Sequence, residues 1–146
     1  MTTTTNETDK WLTFYLGRQL YAVKALMVRE IIRRPELHGE AMAEAGHSQG
    51  IEGIIAYRGS AVTVINGLQR MSIRDEADAG MLIVLSNGVD QAALAVTRMG
   101  DVEEYKTADF QNVHAASDPA LHGVVRDGDT LVIGISAEQL LSELDV

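Results

Sequence analysis

A chain of 146 residues fits one domain and is long enough to bury a core. Its composition, 46% hydrophobic and 23% charged, is that of an ordinary globular protein, while 12 Lys+Arg against 21 Asp+Glu leave a net charge of −9 that argues against a phosphate-binding surface and so against nucleic acid. The absence of cysteine removes disulfide frameworks and thiolate zinc sites, the opening "MTTTTNETDK" lacks the basic and apolar regions of a signal peptide, and no apolar run nears the roughly 18 residues of a membrane span. The expected location is the cytoplasm.

Residues 1–10, Thr-rich and polar, read as a disordered tail, with a single domain expected over 11–146. "WLTFYLGRQLYAV" gives two short strands around a Gly17-Arg18 turn. In "KALMVREIIRR" the spacing of Leu26, Met27, Glu30 and Ile31 predicts a helix, stopped by Pro35. Arg29, Arg33 and Arg34 would then form a solvated helix face or a protein-docking point. Residues 36–50 read as a loop with one helical turn at "EAMAEA".

"IEGIIAYRGSAVTVI", Ile51 to Ile65, predicts a strand, a turn at Gly59-Ser60 and a second strand. Arg58 interrupts a pattern that otherwise asks for core. An arginine there needs either a local acid or an outside partner, since charges are seldom buried unpaired. Residues 66–80 form a polar connection. "MLIVL" and "QAALAV" flank Asn87-Gly88, which suits the positive φ angles of a hairpin turn. "DVEEYK" is a short strand, "ADFQNVHAASDPA" is irregular, and "LHGVVRDGDTLVIGI" is a strand pair around Asp127-Gly128-Asp129. The final "SAEQLLSEL" places Ser136 and Gln139 at capping-box spacing before an amphipathic helix. Many short strands with few helices point to small β-barrels, and no repeat period stands out.

Catalytic signals are weak. "GHSQG", Gly46 to Gly50, fits the G-x-S-x-G pattern of a nucleophile elbow at Ser48. That chemistry needs a strand before the serine and a helix after it, in an alternating βα chain, and this sequence offers the reverse order. His38, His47, His114 and His122 lie too far apart for a local metal motif. The carboxylate pairs Asp75-Glu76 and Glu103-Glu104 are adjacent, so in a strand they would point to opposite faces. No phosphate-binding loop is present. A compact β domain without catalytic or cofactor groups suits a protein-binding module, in which an arginine ringed by apolar residues is a typical hot spot.

The sequence resembles the CheW family of chemotaxis coupling proteins from about Trp11 to Leu144. "WLTFYLGRQLYAVKALMVREII" is similar to the family's opening, which ends in V-x-E-I. "IEGIIAYRGSAVTVI" is similar to its h-x-G-h-h-N-L-R-G-x-h-h-P-h-h-D motif, and "DGDTLVIGISAEQLLS" to its last hairpin and terminal helix. The resemblance implies a mainly β, CheW-like fold: two five-stranded SH3-like β-barrels packed together, with one early helix and a short C-terminal helix. It also implies a non-enzymatic adaptor without cofactor, bridging chemoreceptor cytoplasmic tips to the regulatory domain of a CheA-type histidine kinase. Other CheW-like domains in array rings are further implied partners.

Carried over by position, Val28, Glu30 and Ile31 fall on the family's partner contacts. Arg58 and Gly59 match its coupling Arg-Gly, while Met99 and Val102 fall on its receptor groove. The sequence departs from the motif where Ala56-Tyr57 replace Asn-Leu, Thr63 replaces Pro, and Asn66-Gly67-Leu68 replace Asp-Leu-Arg. Glycine at 67 should loosen the strand end, and the lost Asp and Arg remove a local ion pair. Rival readings are the CheW-like half of a CheV-type protein, whose receiver domain would lie outside this sequence, a serine hydrolase using Ser48, and a β-barrel carrying a small ligand.

Overall fold

The structure is a computed structural model that describes residues 8–34, 50–73, 79–112 and 118–144. The "EAMAEA" turn, the Gly46–Gly50 motif with Ser48, His38, His47, His114 and the Asp75-Glu76 pair lie wholly or largely outside the described residues.

Ten strands make two sheets. They are β1 (Thr8–Leu16), β2 (Gln19–Lys24), β3 (Val28–Arg33), β4 (Ile51–Tyr57), β5 (Ser60–Asn66), β6 (Met81–Ser86), β7 (Gln91–Val96), β8 (Arg98–Lys106), β9 (Leu121–Asp127) and β10 (Thr130–Ile135). Two helices, α1 (Gly67–Arg70) and α2 (Ala137–Glu143), follow β5 and β10. The strand order is β8-β1-β2-β10-β9 in one sheet and β3-β6-β7-β5-β4 in the other. The two five-stranded units expected from the sequence are therefore present as sheets, and among the described residues no strand ladder closes either of them into the expected barrel.

The predicted helix over "KALMVREIIRR" is replaced. Ala25–Met27 form one 3-10 turn and Val28–Arg33 continue as β3. Val28, Ile31 and Ile32 are β-branched, and pairing with Met81–Leu85 of β6 outweighs the helical spacing of the apolar residues. Other differences are smaller. β1 begins at Thr8, so it takes in Thr8–Lys10, which the sequence reading placed in the tail. The β4–β5 turn is centred one residue earlier than predicted, because Tyr57 pairs with Ser60. In the β6–β7 connection only Gly88 has positive φ. Asn87 contributes through its side chain instead, Oδ1 accepting from the N–H groups of Val89 and Asp90.

Although the sequence shows no repeat, the topology does. Laid side by side without a gap, Ile51–Asn66 and Leu121–Ser136 put Gly53 on Gly123 and Arg58-Gly59 on Gly128-Asp129. Both hairpins carry their register shift at the same step, Ile51↔Ile65 to Gly53↔Val64 and Leu121↔Ile135 to Gly123↔Gly134. Both second strands pair in parallel with an inner strand, β5 with β7 and β10 with β2, and both run into a capped helix. Asn66 Oδ1 accepts from Leu68 N and Gln69 N, and Ser136 Oγ from Gln139 N. The first half of the chain gives β1–β2 to one sheet and β3–β5 to the other, and the second half does the reverse. Neither sheet can be built from one half alone.

Between the sheets lies one apolar cluster that joins Leu12, Phe14 and Leu16 to residues such as Ile83, Leu85 and Leu94. A second cluster, around Trp11, Ala22, Tyr105, Val125 and Val132, belongs to the β8-β1-β2-β10-β9 sheet. Gly67 sits where a Cβ would lie 2.6 Å from Leu16 Cδ2 and 2.8 Å from Ala95 O. Glycine there permits close packing of α1 on the sheets rather than loosening the strand end. The ion pair expected to be lost with the motif's Asp and Arg has a replacement. Arg70 bonds Asp118 at 2.6 Å and both carboxylate oxygens of Glu143 at 2.9 Å, tying α1 to α2.

Candidate protein-interaction site

The outer strands of each sheet are joined by side chains, since no ladder among the described residues pairs β3 with β4 or β8 with β9. At one end of the β3–β4 seam, Arg34 meets Glu52 at 2.8 Å. At the other end, Glu30 of β3 meets the β4–β5 turn. Its Oε1 accepts from Tyr57 Oη at 2.6 Å, Arg58 Nη2 at 2.8 Å and Arg58 Nε at 3.1 Å. Arg58 Nε also donates to Tyr57 Oη at 3.1 Å, and the guanidinium carbon stands 5.5 Å from the centre of the Tyr57 ring.

Arg58 thus has a local acid and yet remains open, its side chain 64% exposed against 35% for Glu30. The turn explains the exposure. Arg58 and Gly59 have φ values of 47° and 81°, the two left-handed positions of a tight hairpin turn. Glycine takes that conformation freely, whereas for arginine it costs about 1 kcal/mol or more. A Cβ at Gly59 would meet nothing within 4 Å, so the constraint at that position is backbone conformation and not space. The Tyr57 hydroxyl, then the Arg58 guanidinium, hold the Glu30 carboxyl below its usual range, and the same contacts raise Arg58.

The apolar candidate residues form a second group. Cross-strand partners share a face. In the β3–β6 ladder Val28 pairs with Leu85 and Ile31 with Ile83, whereas Glu30 pairs with Val84 on the opposite face. In the β8–β1 ladder Met99 pairs with Phe14 and Val102 with Leu12. Each ladder carries a bulge between its two named pairs, so Val28 and Ile31 are the counterparts of Met99 and Val102. Val28 and Met99 are partly buried against the cluster between the sheets, while Ile31 and Val102 are exposed. The candidates therefore divide into an Arg58–Gly59–Glu30 cluster and two equivalent apolar pairs on separate sheets.

Sequence reasoning missed Tyr57 as a member of the polar cluster. Its signal was present as the departure from the motif's leucine. His122, the one candidate metal histidine among the described residues, packs between Trp11 and Phe110, with ring centroids 5.3 and 5.0 Å away. Burial, then the Lys24 charge, pushes it below its ordinary value. Among the described residues no group of three or more His, Asp or Glu could hold a metal ion, and no helix is long and apolar enough to cross a membrane.

Comparison with known proteins supplies the family. The model of the CheW-like domain matches residues 10–145. The chain is 23% identical to the chemotaxis protein CheW of Treponema pallidum (strain Nichols), over 97% of this chain and 86% of that one. In fold it is similar to the scaffolding protein TtCheW from Thermoanaerobacter tengcongensis, with a TM-score of 0.78, 22% identity and 92% of both chains covered. The two five-stranded sheets, the Arg-Gly turn and a family match over nearly the whole chain place this protein in the CheW-like domain family.

Proposed function

We propose that this chain is a non-enzymatic cytoplasmic adaptor that couples the signalling tips of chemoreceptors to the regulatory domain of a CheA-type histidine kinase, at membrane-bound receptor arrays. One observation carries the reading beyond family membership. Arg58 stands at the tip of the β4–β5 turn with most of its side chain in solvent, although it is already paired with Glu30. An arginine that keeps most of its side chain in solvent beside its own counter-ion is available to a partner.

In this reading Arg58 and Glu30 supply the polar contact, Gly59 permits the turn, and Val28 and Ile31 supply apolar area on the opposite face of β3. Met99 and Val102 offer the equivalent apolar pair on the second sheet, for the receptor. Interface energy concentrates in a few residues, arginine prominent among them. CheW-like domains of neighbouring molecules are further partners in this reading. The protein supplies no cofactor and performs no chemistry; it acts by holding other proteins in place.

The test is capture of the wild-type chain and of Arg58→Glu by two baits from the same genome, a CheA-type regulatory domain and receptor cytoplasmic tips. Wild type is expected to be retained by both baits, and a folded Arg58→Glu to lose at least one. Retention of the variant equal to wild type on both baits would contradict the role of Arg58.

A further inference from the structure

We propose that Tyr57 is a specificity-determining residue of this surface, its hydroxyl fixing the Arg58–Glu30 pair so that Arg58 Nη1 and Glu30 Oε2 are the groups left for a partner presenting an acid beside a base. The proposal rests on the reading of Arg58 as a partner contact.

Three donors converge on Glu30 Oε1, and among the described residues neither Glu30 Oε2 nor Arg58 Nη1 has a hydrogen-bond partner. A carboxylate oxygen that accepts three bonds is saturated, so the free lone pairs are those of Oε2. The Tyr57 ring is 6% exposed and packed in the apolar cluster, which fixes where its hydroxyl stands. Arginine alone is rotamer-rich. Here Nε is held by the hydroxyl and by Glu30, Nη2 by Glu30, and the guanidinium lies near the phenol ring. Ordering before contact lowers the entropy lost on binding.

The charge balance selects the partner's chemistry. Glu30 neutralises Arg58, and the chain as a whole carries −9, so a purely acidic segment gains no net attraction. An Asp or Glu next to a Lys or Arg can donate to Oε2 and accept from Nη1 together. The leucine that the motif carries at this position could place no hydroxyl between the two charges. Tyr57 therefore distinguishes this surface from a leucine-bearing one by geometry as well as by bulk.

The experiment uses the full chain with ¹³C-labelled glutamate carboxyls, and compares wild type with Tyr57→Phe, which keeps the ring. Glu30 is expected to titrate at higher pH in Tyr57→Phe, while the melting temperature moves little. Affinity for the kinase regulatory domain or the receptor tip, measured by interferometry, should fall about threefold to tenfold, chiefly through faster dissociation. Reversing the acid–base pair on the partner should remove the difference between wild type and variant. An unchanged Glu30 titration would overturn the role of the hydroxyl. A shifted titration with unchanged affinity would overturn its part in specificity. If wild type bound neither partner, the adaptor reading would fall, taking the partner half of this proposal with it, while the titration would still decide the hydroxyl's hold on the pair.

Discussion

Between β8 and β9, the outer strands of one sheet, the side-chain contacts are packed aromatic rings, whereas between β3 and β4, the outer strands of the other, they are charges that reach the surface. In the first seam Trp11 and Phe110 stand 4.6 Å apart between ring centres, Phe110 meets the edge of His122, and Tyr105 donates to Asp127 at 2.9 Å. Gln111 and Val124 add a single backbone bridge. In the second seam the links are Arg34–Glu52 and the Glu30–Tyr57–Arg58 cluster. The hairpins on which these contacts sit are equivalent in register, yet one turn reads Arg58-Gly59 and the other Gly128-Asp129. The same scaffold has thus been used twice. One copy spends its seam on core, and the other leaves a charged pair exposed where a second protein can reach it.

The largest expected difference between the seams is in stability. Trp11→Ala should cost about 3–5 kcal/mol, as expected for a fully buried aromatic residue, read as a lower urea midpoint. Arg70→Ala breaks a nearly buried pair that belongs to neither seam, and about 3 kcal/mol is expected there. On the charged seam, Arg34→Ala should cost only about 1 kcal/mol, because its pair is a quarter exposed. A reversal of that order would mean that the charged seam, and not the aromatic one, contributes more to stability.

Each sheet draws on both halves of the chain, so the two seams should fail together. Trp11 is the sole tryptophan and reports on the aromatic seam alone, whereas far-ultraviolet circular dichroism reports on both sheets. Coincident urea transitions are expected from the two probes. Separate transitions would show two independently folding units.

Acid should separate the seams by a smaller margin. His122 is held below its ordinary value, so the folded state prefers the neutral ring. Stability should be complete above the unfolded-state pKa of about 6.5 and decline as pH falls from there toward the depressed folded value. The Glu30 cluster has its own window. The Glu30 carboxyl is held down in the folded state, so its contribution is present above the ordinary glutamate value and is lost as pH falls through the depressed one. His122→Phe should flatten the first window and leave the second unchanged in a series of melting curves. If the upper window persisted in His122→Phe, the aromatic seam would not be its source.

What the sequence made legible follows from the range of the interactions. Hairpins around Gly17, Gly59, Gly88 and Gly128 depend on neighbouring residues, and all four were visible as turn residues between apolar runs. The terminal helix was visible for the same reason, through Ser136 and the leucines after it. β3 was read as a helix because its spacing suits one, and only pairing with β6, some fifty residues later, settles the matter. The repeat stayed hidden because it is one of register and not of residue identity. The position of Arg58 raised the right question, but its answer depends on β3 and β4 meeting as the outer strands of one sheet. No local pattern encodes that meeting. For the same reason Tyr57 looked like a lapse from the motif until its hydroxyl was placed on Glu30.

The central claim is that the charged seam is kept for recognition. Titration of a CheA-type regulatory domain and of receptor tips with wild type and Arg58→Glu, alongside melting curves of both proteins, tests it most directly. The account predicts melting temperatures within about 2 °C of each other, as for a surface substitution, and at least a tenfold loss of affinity for one partner. Equal affinities for both partners, or an unfolded variant, would contradict it.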